Sequence, residues 1–149
     1  QASRPITPGN FIISGGRLKQ GEYGRMGDTV VRGIRGATTV ERNSAEEIFS
    51  ATRELLQAII KENSLDPEDI ASAFFTVTPD IDADFPAFAA REIGLKYVPL
   101  LCAVEINVPG SLGNCIRILL HVNTKKSQKE MKHIYLRGAI RLREDLMGQ

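Results

Sequence analysis

The sequence has few of the residue types that build metal centres and disulfide frameworks. Its 149 residues include no Trp, two Cys and two His. Cys102 and Cys115 lie within apolar runs, which fits neither a disulfide framework nor a zinc site and favours a reducing compartment, the cytoplasm. Two histidines leave little material for a His-based metal centre. We therefore expect no metal site.

An excess of charge and long hydrophobic runs are also missing. Nineteen Lys and Arg balance eighteen Asp and Glu, for a net charge of +1. This balance does not fit a protein that binds nucleic acid by neutralising phosphates, unless its charges are strongly segregated. No apolar stretch approaches the roughly 20 residues that cross a bilayer. We therefore expect neither nucleic acid nor a membrane as a partner. The length of 149 residues and the 42% apolar content predict one globular domain.

Residues 1–29 differ from the rest of the chain. They are rich in Gly and Pro and show no sustained period of 2 or 3.6 residues. They are either a genuine N-terminal extension or a segment placed ahead of a natural start at Met26. We assign them no function and place the functional domain at residues 30–149.

From Val30 onward, apolar periodicity and capping signals alternate regularly. The predicted strands span residues 30–38, 72–78, 97–108, 114–124 and 139–143. The predicted helices are a long one opened by a Ser44–Glu47 capping box, a short one from Pro86 to Gly94, and a third opened by Ser127 and Glu130. This order, β-α-β-α-β-β-α-β, predicts an α+β fold with a mixed five-stranded sheet and helices on one face.

Two features of the predicted sheet concern its edges and faces. The Pro109–Gly113 stretch can turn tightly, so we expect the third and fourth strands to pair as a hairpin. On the fourth strand, Ile116, Ile118, Leu120 and Val122 alternate with residues that are also too apolar for water. Helices on one face leave the second set uncovered, which predicts an oligomer.

The candidate chemistry lies in arginines placed within strands. Arg35 and Arg117 have apolar neighbours, where an unpaired guanidinium would be costly. One interpretation is a structural ion pair with an acidic residue such as Glu105. The other is that these arginines, with Arg91 and Arg143, converge on an anionic ligand, because the guanidinium fork matches carboxylates.

Other motifs are weaker. Gly33 and Gly36 leave the backbone bare on both sides of Arg35, which suggests close approach by a ligand or another chain. The stretch lacks the length and the lysine of a phosphate-binding loop. His121 and His133 are better explained as structural or surface residues than as catalysts.

Six blocks of sequence, in order, carry a family resemblance. The resemblance extends from about Val31 to Asp145. Its blocks are Arg32–Glu41, Thr78-Pro79-Asp80 with Phe85-Pro86-Ala87, Tyr97 through Cys102 to Glu105, Cys115-Ile116-Arg117, His133–Leu136, and Leu142-Arg143. Together they resemble the monofunctional chorismate mutases of the Bacillus type. Any one block is weak, but six at compatible spacing are specific.

The resemblance implies a homotrimer, a pseudo-α/β barrel with active sites between adjacent subunits. It implies the Claisen rearrangement of chorismate to prephenate, an isomerisation in phenylalanine and tyrosine biosynthesis. That reaction needs no cofactor and no covalent intermediate. The small-molecule partner would be chorismate.

The resemblance also assigns residues to the site. Arg117 would meet the negative charge that grows on the ether oxygen, Arg35 would bind a carboxylate, and Glu105 and Cys102 would face the ring hydroxyl. The remaining substrate-binding residues would be Tyr135, Phe85, Ala87, Arg91, Leu142 and Arg143, of which Phe85, Ala87 and Arg91 come from the neighbouring subunit.

The sequence also departs from the family pattern. Phe88 stands where members of the family can carry a basic residue, and Leu101 stands where they can carry Thr. The C-terminal tail of other members can be longer than the one that stops here at Gln149. Cys102 and Glu105 are three residues apart, so a regular strand would point them to opposite faces, and a bulge or a backbone contact is required. The rival interpretation is a trimeric imine deaminase-like or carboxylate-binding protein of similar fold.

Overall fold

The computed structural model describes residues 29–146, with side chains through Arg143. The predicted N-terminal segment therefore lies outside the described residues, except for Thr29. The strands are β1 (Val30–Thr39), β2 (Ile70–Val77), β3 (Leu100–Val104), β4 (Cys115–Thr124) and β5 (Ile134–Tyr135). The α-helices are α1 (Ala45–Glu62) and α2 (Ala87–Glu92), and 3-10 helices span Pro67–Asp69, Gln128–Glu130 and Arg137–Leu146.

The five strands form one mixed sheet in the order β3-β2-β4-β1-β5. Strand β4 runs antiparallel to both of its neighbours, whereas β3 and β5 add to the edges in parallel. Residues of α1 and α2 share one core cluster with Ile34, Phe75 and Ile118 of the sheet. The predicted α+β fold, with a mixed five-stranded sheet and helices on one face, is confirmed.

Helix α1 begins and ends where the sequence predicts. The Ser44 hydroxyl accepts the N–H of Glu47 at 3.3 Å, and Asn63 ends the helix. The predicted capping box is wrong in its second half, because the Glu47 carboxylate accepts the backbone N–H groups of Glu41 and Arg42 instead. The apolar stripe of α1 is buried against the sheet. No helix in residues 29–146 is long and apolar enough to cross a membrane.

The alternation along β4 separates the two faces of the sheet. Ile116, Ile118, Leu120 and Val122 are at most 2% exposed beneath the helices. The opposite face, which we call the open face, has no α-helix over it in the described chain. Its β4 residues Arg117, Leu119 and His121 are only half-buried. At the end of β4, Cys115 is fully buried in a small cluster with Ala37, Ala139 and Leu142.

The predicted hairpin of the third and fourth strands is wrong. Strand β3 pairs in parallel with the outer edge of β2, and β4 lies between β2 and β1. Strand β3 is also shorter than predicted, since it begins after Pro99 and ends where the Glu105 N–H bonds to Val77 at the end of β2. The connecting loop therefore crosses the end of β2 instead of turning back on itself.

The predicted third helix and last strand are also wrong. Ser127 and Glu130 do form a capping box, but the 3-10 helix they open is three residues long. Beyond it, Ile134 and Tyr135 pair with Gly36 and Ala37 on the free edge of β1, because that edge offers unpaired backbone groups to an extended segment. Residues 139–143 then belong to a 3-10 segment.

The close approach predicted at Gly36 is made by the chain's own helix. A Cβ built on Gly36 would lie 2.7 Å from Ile59 Cδ1 and 3.0 Å from Leu55 Cδ1, both on α1. The absence of a side chain at Gly36 therefore lets α1 pack against β1. A Cβ built on Gly33 would lie 3.6 Å from Leu119 Cδ1, an ordinary van der Waals contact.

Candidate active site

The open face of the sheet holds a cleft of about 460 Å³. Four strands and the C-terminal 3-10 segment contribute to its walls. The lining residues are Arg35, Gly36, Ala37, Phe74, Thr76, Arg117, Ile118, Leu119, Tyr135, Leu142 and Arg143. Five of the ten residues predicted from the sequence are among them, and three of these five are arginines. The walls are therefore apolar with concentrated positive charge, which suits an organic anion.

Arg117 and Glu105 form the central ion pair of this region. Arg117 Nε lies 3.0 Å from Glu105 Oε1, and the Thr76 hydroxyl donates to the same oxygen at 2.7 Å. The Glu105 side chain is 16% exposed and that of Arg117 is 43% exposed. Arg117 Nε is buried and makes no directed hydrogen bond within the described chain, since its contact with Glu105 is close but misaligned. Arg117 therefore both forms the ion pair and lines the cleft.

Arg35 is held at both its backbone and its guanidinium. Its Nη2 donates to the Tyr135 hydroxyl at 3.2 Å, and its backbone N–H donates to His133 Nδ1 at 2.9 Å. The parallel pairing of β5 with β1 sets this geometry, because it aligns Tyr135 with Ala37, two residues beyond Arg35. The guanidinium therefore faces the cleft beside a phenol that can share a ligand.

The C-terminal segment closes one side of the cleft. Leu142 and Arg143 line it as predicted, although they lie on a 3-10 segment and not on a strand. The backbone at Arg143 is non-helical, with φ −139° and ψ 46°, so the segment kinks there.

Glu105 reaches the cleft through its ion pair with Arg117, but the structure does not bring the remaining four predicted residues to this cleft. Cys102 aligns with the buried Phe75 and faces the helices, where it shares a separate hollow with Phe85. Burial raises the pKa of the Cys102 thiol, which keeps it protonated near neutral pH. Ala87 and Arg91 lie on α2. The β2–β3 register is continuous, so no bulge turns Cys102 toward Glu105.

Sequence reasoning missed two contributors on β2. Phe74 and Thr76 alternate with the buried Phe75, and that alternation was the signal that they share the open face. Thr76 orients Glu105 by its hydrogen bond. His133, which the sequence predicts to be a structural or surface residue, accepts the backbone N–H of Arg35 at Nδ1, a structural contact. Within residues 29–146, no cluster of three or more His, Cys, Asp or Glu side chains could hold a metal ion.

Comparisons with known proteins point in one direction. The family model described as chorismate mutase type I matches residues 31–146. Chorismate mutase AroH of Bacillus subtilis is 48% identical over 118 residues, covering 78% of this chain and 93% of that protein. Chorismate mutase AroH of Thermus thermophilus is 52% identical over 118 residues, covering 78% and 97%. The solved structure of a chorismate mutase from Clostridium thermocellum matches with a TM-score of 0.72 and 53% identity, over 72% of this chain and 96% of that one.

Proposed function

The chain belongs to the chorismate mutase type I family, and from that membership we infer that it isomerises chorismate to prephenate in aromatic amino-acid biosynthesis. The observation that carries this function is the cleft in which Arg117, paired with Glu105, lies near Arg35 and Tyr135. A hydroxylated dicarboxylate offers carboxylates to the arginines and a hydroxyl group to Glu105. The deaminase-like alternative explains the arginines but gives Glu105 no partner on the substrate.

The reaction is unimolecular, so the protein must act through shape and fixed charge. Chorismate must be held in a compact conformer with its two reacting carbons in near-attack contact. Negative charge then grows on the ether oxygen as its bond to the ring breaks, and a donor already in place stabilises it without reorganisation. No proton transfer or nucleophile enters this scheme.

We assign the central role to Arg117. Its guanidinium is anchored by Glu105, and Glu105 is itself oriented by Thr76, so the charge is held before substrate arrives. Arg117 Nε itself is buried against Glu105, so an ether oxygen or a carboxylate would meet the exposed part of this side chain, which is 43% exposed overall. Glu105 would in turn accept from the ring hydroxyl and face positive character on the ring.

The second anchor is Arg35 with the Tyr135 hydroxyl, which together would bind a substrate carboxylate. Leu142 and Arg143 would enclose the mouth of the cleft. This division separates a residue that acts on the breaking bond from residues that position the dianion.

The remaining predicted residues are proposed to act from a neighbouring subunit. Phe85 is 62% exposed, and it lies with Cys102, Ala87 and Arg91 away from the cleft of its own chain. A pseudo-barrel trimer would bring these side chains to the cleft of the next copy. Cys102 would then contribute through its backbone or its protonated thiol.

The first expected result is that the protein is a trimer in solution. Large apolar side chains are exposed on the open face, on β3 and in the loop that follows it, and an assembly would cover them: Phe74, Leu101, Val104, Ile106 and Val108. Light scattering at micromolar concentration should give three times the chain mass of 16.4 kDa. A monomer mass under those conditions would contradict both the assembly and the shared site.

The second expected result concerns pH and metals. The proposed reaction includes no proton transfer, so turnover should be nearly constant from about pH 7 to 9. Activity should also survive EDTA. Loss of chorismate absorbance on adding the protein is the assay. Failure to consume chorismate, with release of ammonia from an imine substrate, would favour the deaminase-like alternative.

We also propose a cytoplasmic location. Cys102 and Cys115 are both unbridged thiols, which suits a reducing compartment.

A further inference from the structure

We propose that His133 is a positioning residue that fixes Arg35 in the cleft by accepting its backbone N–H at Nδ1. This inference rests on the proposed function only in so far as Arg35 binds the substrate. The hydrogen bond itself belongs to the folded chain and can be tested without any substrate. The sequence predicts only a structural or surface role for His133 and does not identify its partner.

The geometry comes from the point at which β5 begins. Backbone pairing between β1 and β5 covers Gly36 with Ile134 and Ala37 with Tyr135. The N–H of Arg35 lies one residue before this pairing, and the imidazole of His133 takes the place of the missing strand partner at 2.9 Å. The side chain thus extends the ladder by one hydrogen bond.

His133, just before β5, and Tyr135, on β5, then hold Arg35 from opposite ends. His133 fixes the backbone from which the side chain departs, and Tyr135 receives the guanidinium at 3.2 Å. A small backbone shift at Arg35 would be amplified along its long side chain. Such a displacement of a substrate-binding group can lower kcat/KM by up to about 100-fold.

The hydrogen bond requires a particular form of the ring. Nδ1 can accept only when it carries no proton, so the neutral ring must hold its proton on Nε2. Partial desolvation, together with the charges of Arg35 on β1 and Arg143 on the 3-10 segment, lowers the pKa of His133 below its ordinary 6.5. Helix α1, on the other face, reaches this region through Asn63, which bonds to the backbone of Lys132.

Protonation would therefore release Arg35. A proton on Nδ1 would face the Arg35 N–H donor to donor, and the new charge would lie near two guanidiniums. Because the unfolded chain binds this proton more readily, stability is full above pH 6.5 and falls as the pH drops below that value. Catalysis should weaken as the pH falls through the lowered pKa of His133 in the folded chain.

The test compares His133→Asn with His133→Gln. The Asn amide oxygen can occupy the position of Nδ1 without titrating, whereas the Gln oxygen reaches the position of Nε2. We expect H133N to keep kcat/KM for chorismate within about threefold of the parent and to lose its decline below pH 6.5. We expect H133Q to lose about 10- to 100-fold in kcat/KM. The matched control is His121→Asn, which removes the other histidine and should retain the acid decline.

Two measurements keep the inference separate from the proposed function. Nitrogen-15 NMR of the histidine rings at pH 8 should show His133 as the Nε2–H tautomer, and the melting temperature of H133N should depend less on pH than that of the parent. Protonated Nδ1 at pH 8, or equal activity of H133N and H133Q, would overturn the inference. A parent protein that shows the tautomer but leaves chorismate unchanged would instead overturn the proposed function.

Discussion

Arg117→Ala should lower turnover of chorismate by at least 100- to 1000-fold while weakening substrate binding far less. Removing one preorganised donor to a developing oxyanion typically costs about 3–4 kcal/mol, and here a full charge is also deleted. The loss should fall on kcat because the charge that Arg117 meets appears only in the transition state. Steady-state kinetics and a binding isotherm for a non-reacting dicarboxylate analogue would separate the two quantities.

The competing explanation is that Arg117 is mainly the structural partner of Glu105. In that case Arg117→Ala would lower the melting temperature, and the assembled fraction would turn over almost normally. A matched control is Arg53→Ala, since Arg53 pairs with Glu92 at 2.6 Å and its side chain is also 43% exposed. An exposed pair of this kind is worth about 0–1 kcal/mol, so R53A should keep both turnover and fold.

Arg117→Lys refines the same measurement. Lysine keeps the charge but lacks the planar fork, so it cannot contact Glu105 and the substrate together with fixed geometry. We expect an activity between those of the parent and R117A. A stable, trimeric R117A protein with near-normal turnover per folded trimer would contradict the role proposed for Arg117.

Gly36→Ala should lower the free energy of unfolding by about 1–3 kcal/mol, the usual cost of overpacking a core. The new Cβ would lie 2.7 Å from Ile59 Cδ1 and 3.1 Å from the carbonyl oxygen of Ile134. Ile59 is fully buried and has little room to move, and the Ile134 carbonyl belongs to the pairing that aligns β5 with β1. The entropy that Ala removes from the unfolded chain offsets only about 0.4–1 kcal/mol.

Gly33→Ala provides the control for this substitution. Its Cβ would meet Leu119 Cδ1 at 3.6 Å, an ordinary contact, and both glycines lie on the same strand. Urea or thermal unfolding of the two variants should therefore show a clear loss for G36A and little change for G33A. Equal stability of the two variants would mean that α1 can move away from β1 at no cost.

Local signals in the sequence were sufficient for the elements that carry their own pattern. The alternation along β4, the cap at Ser44 and the apolar stripe of α1 each predict structure that the fold retains. Arg35 and Arg117 stood out for a similar reason, since charged residues between apolar ones within strands require a partner. The family resemblance then supplied the remaining proposed site residues.

Tertiary pairing decided what the local pattern left open. Turn residues between the third and fourth strands predict a hairpin, but β3 pairs with the outer edge of β2, and β4 lies between β2 and β1. Likewise the capping box at Ser127 starts a helix that the open edge of β1 interrupts, because an extended Ile134-Tyr135 satisfies that edge.

The sequence by itself determined which side chains we assign to the chemistry of this chorismate mutase type I chain, and the fold decided how they meet. Arg117, Glu105 and Arg35 can be named from residue type, neighbours and family resemblance. The hydrogen bond from Thr76 to Glu105 joins residues 29 positions apart. The hydrogen bonds of Arg35 with His133 and Tyr135 join residues about 100 positions apart. Such contacts depend on strand order and register, which long-range pairing sets and which no local period encodes.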